Sequence, residues 1–254
     1  MMRLRSLSGF TFVFALITFA QIVCTAGGVK AIYVPAPSLV AGVLLTQAAN
    51  GTMWAPAAAT LVHVLVAWTL AATLGTLIGA AIGRSAMARA YLGPALDFMR
   101  PLPASALVPA AILLFGSNAN TVLIVTTFGS IWPVLLASVH GFQSVDARLT
   151  ESARLLGLGA ASTMWKVLLP SALTEIVAGA RVSLAIALII AVVTEMLTSV
   201  TGLGNNIVLA ARAYNTPDLY AGIVMLGAIG VATNAVMEAA ERRWAARIAG
   251  AALN

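Results

Sequence analysis

Residues 144–170, SVDARLTESARLLGLGAASTMWKVLLP, carry Asp146, Arg148, Glu151, Arg154 and Lys166 between uncharged segments long enough to cross a bilayer. The stretch reads as two short helices joined by a turn. Ser144 is placed to N-cap the first, Asp146 suits the positive end of its dipole, and Arg148, Glu151 and Arg154 recur at three-residue intervals on neighbouring turns. Gly157 tolerates the left-handed conformation that ends a helix, and Ala153 with Gly157 leaves a shallow spot for another backbone. Ser162 is a second candidate cap. Trp165, Leu168 and Leu169 then share a face, and Pro170 closes the segment.

The remainder of the chain is made for lipid. Its 254 residues are 61% hydrophobic and 9% charged, with a mean hydropathy of +0.98. Soluble domains average about 25% charged residues, so the balance belongs to a multi-span membrane protein. The net charge of +6 is distributed as punctuation between apolar runs and does not form a nucleic-acid-binding face. One cysteine and two histidines, Cys24, His63 and His140, give no disulfide and no convincing metal site. Cys24 is expected to face lipid.

Read in order, Leu7–Val29 is an uncharged run after Arg3 and Arg5, longer than a signal-peptide core, and is expected to be a retained first span. The Ala26-Gly27-Gly28 sequence keeps cleavage open as an alternative. Lys30–Pro56 is broken by prolines and reads as an external segment with one surface helix near Leu39–Ala49. Ala57–Gly83 is a second span whose Ala67, Ala71, Gly75, Gly79 and Gly83 form a small-residue stripe for close helix packing. His63 near its outer end is expected to be interfacial or hydrogen-bonded, since no acidic residue sits within two turns. Arg84, Arg89, Asp97 and Arg100 mark a cytoplasmic turn. The uncharged run Pro101–Val145, interrupted by Gly116-Ser117-Asn118-Ala119-Asn120, gives two more spans and an external hairpin.

After the charged loop, Ile176–Leu197 is a fifth span. Its Arg181 is expected to snorkel to the interface or to pair with Glu175. Glu195 sits beside the translocation pathway, as a gate, or bonds the Thr198-Ser199 turn; Arg212 is its candidate ionic partner. Thr198–Pro217 holds a helix too short to span, external or re-entrant, and Leu219–Met237 is a sixth span. With six spans, Arg3, Arg5, Arg84, Arg89, Arg100, Arg148, Arg154, Lys166, Arg242, Arg243 and Arg247 share one side, 11 cations against Lys30 and Arg212. Such an excess marks the cytoplasm and puts both termini there.

Glu151-Ser152-Ala153, Gly157, and Val167-Leu168-Leu169-Pro170 after nine residues resemble the E-A-A-x3-G-x9-I-x-L-P loop of bacterial ABC-importer permeases. Ser152 replaces the middle Ala and Val167 the Ile. Phe98–Gly116, FMRPLPASALVPAAILLFG, and Glu195-Met196 before Gly202-Leu203-Gly204 are similar to the nitrate/sulfonate/taurine branch of that family. The resemblance covers roughly residues 57–243. It implies an all-α integral membrane protein of six transmembrane helices with an EAA-type coupling loop between spans 4 and 5. The expected organisation is residues 1–56 for the first helix and external segment, 57–243 for the permease domain with the loop 144–170, and 244–254 for a cytoplasmic tail.

By the same resemblance, Glu151, Ser152, Ala153, Gly157, Val167, Leu169 and Pro170 couple to a separate ATPase subunit. Two permease copies would form the pore in the bacterial inner membrane, and a periplasmic or extracellular solute-binding protein would deliver a sulfonate, nitrate or related anion; some members carry heterocyclic or aromatic compounds. ATP and Mg would be held by the ATPase. This chain lacks a Gly-Lys-Ser/Thr phosphate loop, because Lys30 and Lys166 follow Val and Trp. A stand-alone secondary transporter or channel is the alternative, and it would need mid-membrane coupling charges for which Glu195 and Arg181 are the candidates.

Overall fold

The computed structural model describes residues 2–26 and 33–251, with side chains described from 11 to 26 and from 33 to 243. Every regular element is helical: α1 Met2–Thr25, α2 Pro37–Ala49, α3 Trp54–Arg84, α4 Ala86–Met99, α5 Val108–Phe115, α6 Ala119–Gln143, α7 Ala147–Leu155, α8 Ala160–Thr163, α9 Leu169–Thr198, α10 Leu203–Arg212 and α11 Thr216–Ala251. A 3-10 turn, Ala104–Leu107, leads into α5, and a π turn, Met164–Leu168, joins α8 to α9. Two compact units emerge, one of residues 1–60 with 201–228, the other of residues 61–200 with 229–254.

Four helical runs are long and apolar enough to cross a membrane: Trp54–Arg84, Ala119–Gln143, Ala160–Thr198 and Thr216–Arg243. A fifth crossing exists if α4 and the 104–115 helix are taken together, although they meet at 78°. The count of six is therefore not reached on length and composition among the described residues. The third span was expected to start at Pro101. Instead Pro101 and Pro103 break the chain, and the 12 residues from Ala104 to Phe115 rise only about 18–20 Å against a hydrocarbon core of about 30 Å. The expected turn at Arg84–Arg100 is also different. It is a 14-residue helix, capped by the Ser85 hydroxyl on the Ala88 N–H, with no buried residue. Gly27–Val29, the end of the first expected span, and Lys30 lie outside the described residues, as do the side chains of Arg3, Arg5 and Arg247.

In the larger unit α6 is gripped on two sides by glycines. A Cβ on Gly79 of α3 would stand 2.5 Å from Ser138 Cβ and 2.7 Å from the Leu135 carbonyl oxygen, and one on Gly83 would stand 2.8 Å from the Val139 oxygen. A Cβ on Gly75 would stand 3.1 Å from the Leu135 backbone nitrogen. Ala67 and Ala71 on the same stripe are fully buried. From the other side, a Cβ on Gly179 of α9 would stand 2.8 Å from the Pro133 oxygen. Only residues without a side chain allow backbones so close, and the gain is dispersion between helices that lipid cannot drive together by hydrophobicity. Polar cross-links reinforce this packing: Ser183 donates to the Ser130 carbonyl at 2.6 Å, and the Trp68 indole donates to the Ala180 carbonyl at 2.9 Å.

The smaller unit is tied by side-chain caps. Helix α2 has no cap of its own, and Gln21 of α1 supplies one, its Oε1 accepting from the Ser38 N–H at 3.0 Å. The Thr60 hydroxyl, fully buried, accepts from the Leu203 N–H at 2.8 Å and so satisfies the first turn of α10. Gln47 of α2 donates to Asp218 at the start of α11, 3.0 Å away.

Candidate functional site

Two places in the larger unit bring chemistry together. In the first, Glu195 is completely buried near the end of α9, and its Oε1 lies 2.9 Å from His63 Nδ1 on α3. His63 is itself 8% exposed. His63 is hydrogen-bonded, one of the two states expected of it, but its partner is an acid 132 positions away, and the expected Arg212 partner for Glu195 is corrected to His63. A carboxylate in apolar surroundings costs several kcal/mol unless it is hydrogen-bonded, and imidazole provides that bond in either protonation state of the pair. Nearby, Ser117 donates its hydroxyl to the Thr198 carbonyl, closing the end of α9 beside the left-handed Ser199. Further along α9, Arg181 bonds Glu241 of α11, which replaces the expected alternative of pairing with Glu175.

The second place is the loop 144–170. Ser144 turns out to end α6 as its C-cap, and Asp146 caps α7, its Oδ1 accepting from the Arg148 N–H at 2.9 Å. The cap falls two residues later than expected because Ser144 keeps the helical backbone of the end of α6, φ −80° and ψ −4°, with its N–H on the His140 carbonyl. Helix α7 stops at Gly157, with φ of +72°. The Leu158 N–H reaches the Ala153 carbonyl and the Gly157 N–H the Arg154 carbonyl, each at 3.0 Å, a paired closure that needs a left-handed residue at this position. Gly159, not Ser162, precedes α8, and Ser162 lies inside it.

Pro170 does not close the segment. Leu169 donates to the Met164 carbonyl in the π turn, and the wider turn lets the helix run on through a residue that has no N–H. The result is one helical run, Ala160–Thr198, from the loop into the span. Within the loop Ala153 and Leu168 are buried, which removes Ala153 from the expected open spot. Val167 and Leu169 are half-buried, while Glu151, Ser152, Gly157 and Pro170 are exposed. Leu155, Leu156 and Trp165 stand out at 89%, 79% and 70% exposure. Three large apolar side chains on a charged loop that leaves the spans have no partner among the described residues. Large apolar side chains exposed together on a polar loop are available to a partner.

An all-helical bundle of apolar spans, held by glycine packing and carrying an amphipathic two-helix loop at the head of one span, is the architecture of a transport permease. Residues 71–249 match the family described as the inner membrane component of binding-protein-dependent transport systems, and the chain belongs to it. It is 30% identical over 228 residues to the Bacillus subtilis (strain 168) permease SsuC, assigned to aliphatic sulfonates, spanning 90% of this chain and 83% of that one. It is 29% identical over 233 residues to the Escherichia coli (strain K12) taurine transport system permease TauC, spanning 90% and 85%. The bicarbonate permease CmpB of Synechococcus elongatus is 26% identical over 72% of this chain and 66% of its own.

Among solved structures, the inward-facing MetNI methionine ABC transporter aligns at a TM-score of 0.60 with 18% identity over 73% of this chain and 90% of that one. An amino acid ABC transporter with histidines aligns at 0.61 with 17% identity, covering 80% and 98%. At these identities the likeness shows the fold alone. The chain is the permease subunit of a binding-protein-dependent ABC importer, an inner-membrane component that works with an ATPase and a solute-binding protein. That class replaces the stand-alone secondary transporter.

Proposed function

We propose that this permease pairs with a second copy to form the pathway for a small oxyanion of the sulfonate, taurine or bicarbonate kind. The ATPase, holding ATP and Mg, grips the loop 144–170 on the cytoplasmic side. The observation that carries the coupling role is the loop itself: Glu151, Gly157, Leu155, Leu156 and Trp165 are presented outward, while Ala153 and Leu168 fix the loop to the span beneath. Ser152 and Pro170 belong to the same outer surface, and Val167 and Leu169 to its base. In the six-span arrangement expected from the sequence the cation distribution supports cytoplasmic termini, and the relatives named for sulfonates, taurine and bicarbonate support the solute class.

Glu195, fully buried on His63, acts in this reading as a clamp between α3 and α9 and not as a ligand for the solute. The test is purification of the tagged permease in mild detergent with identification of what comes with it, followed by uptake of taurine, an alkanesulfonate and bicarbonate in whole cells. An ATPase and a solute-binding protein are expected, with uptake of at least one of the three anions. Absence of the ATPase would refute the coupling role, and uptake of none of the anions would refute the solute class.

A further inference from the structure

Helices α3, α9 and α11 enclose a groove of about 430 Å³ on the larger unit, walled by Leu61, Leu65, Trp68, Leu184, Val236 and Met237 among others. Apart from Thr233 its lining is apolar. A smaller cavity continues from it, sharing Leu184 and Thr233, and is lined by Arg181. Along α11 the groove runs from Ile229 to Ala240, about 16 Å at 1.5 Å per residue. That is about half of the 30 Å hydrocarbon core, the depth of one leaflet.

Its Ala240 end is the charged end. Glu241, the next residue, is bonded to Arg181, and Arg242 and Arg243 follow. Arg181 is paired with Glu241 and Arg242 with Glu238, which leaves Arg243 as one cation in excess. Arg181 also keeps its Nε buried with no hydrogen-bond partner, a donor whose desolvation is compensated once an acceptor arrives. A guanidinium with a spare donor at the mouth of an apolar channel one leaflet deep has the chemistry of a phosphate above an acyl chain. We propose that this groove binds an anionic phospholipid, its chain along α11 beside Trp68 and its phosphate on Arg181.

Trp68 lines the groove and reports on it directly. The assembled transporter would be reconstituted in phosphatidylcholine vesicles containing equal fractions of brominated phosphatidylglycerol or brominated phosphatidylcholine. The Trp68 signal is the emission of the parent minus that of Trp68→Phe. Stronger quenching by the brominated anionic lipid is expected, corresponding to roughly fivefold tighter binding. Arg181→Gln with Glu241→Gln keeps the local net charge and should reduce that preference to about onefold. Ala232→Phe, which fills the groove without touching a charge, should remove quenching by both lipids. Equal quenching by the two lipids in the parent would show unselective boundary lipid, and an undiminished preference in the double variant would show surface attraction alone. Either overturns the proposal, as does a Trp68 that no lipid quenches, which would put a protein helix in the groove.

Discussion

Adding one methyl group at Gly79 should be enough to loosen the larger unit. The new Cβ would sit 2.5 Å from Ser138 Cβ and 2.7 Å from the Leu135 carbonyl oxygen. Neither atom can rotate away, because one is anchored to the α6 backbone and the other belongs to it. Ordinary separation is about 3.5–4.0 Å, so α3 and α6 must part by roughly 1 Å at this level. A gap of that size forfeits a quarter to a half of each dispersion contact it opens, and the neighbouring crossings at Gly75 and Gly83 share the loss. Overpacking of this kind costs about 1–3 kcal/mol, or roughly 2–12 °C in Tm for a chain of this size. Gly79→Leu should fail to assemble. The assay is thermal unfolding of the detergent-purified protein. Its control is Gly227→Ala on α11, where no atom lies within 4 Å of the added Cβ and no loss is expected. A Gly79→Ala protein that melts with the parent would refute the packing argument.

Two further outcomes follow from the site. Glu195→Ala should destabilise by about 3–5 kcal/mol, the usual consequence of breaking a buried pair, whereas Glu195→Gln keeps a hydrogen bond to His63 and most of the uptake; equal loss in both variants would return a charge-dependent gating role to Glu195. At Gly157 any side chain meets a left-handed backbone, φ +72°, but no atom within 4 Å. Asn tolerates that conformation, so Gly157→Asn should retain ATPase binding and Gly157→Trp should lose it; co-purification and uptake are the readouts, and a fully coupled Gly157→Trp would remove Gly157 from the docking surface.

The features legible in the sequence are those that depend on neighbours along the chain. Uncharged runs of about 20 residues, the four-residue spacing from Ala67 to Gly83, and a glycine after an amphipathic turn all declare themselves locally. The misreadings arise where a local signal competes with a distant one. Ser144 is a good cap residue, but α6 uses it first and hands the role to Asp146. Three arginines and Asp97 between two spans read as a turn, yet Ser85 caps a helix there and Pro94 sits inside it without ending it. Pro170 is a reliable stop in a single turn, and only the π turn before it shows how the helix passes through. His63 and Glu195 carry no mutual signal at all across 132 residues, nor do Arg181 and Glu241 across 60. What could have pointed to such pairs is energetic: an ionisable residue inside an apolar span needs a partner, and few were available.

The same energetics reconciles Glu195 with an anionic solute. A carboxylate exposed to the pathway 4 Å from a passing oxyanion would repel it by about 4 kcal/mol at an effective dielectric constant of 20, close to a thousandfold in occupancy. Glu195 is not exposed in this way: it is fully buried and bonded to His63 at 2.9 Å. Its position at the far end of the helical run Ala160–Thr198 then acquires a mechanical meaning. That run begins in the loop 144–170, so under the proposed coupling a tilt imposed through Leu168 and the π turn would be carried along the helix to the point where Glu195 bonds α3. Under that proposal, a clamp buried away from the solute at the end of the lever would let α3 follow α9 without adding a barrier for an anion to cross.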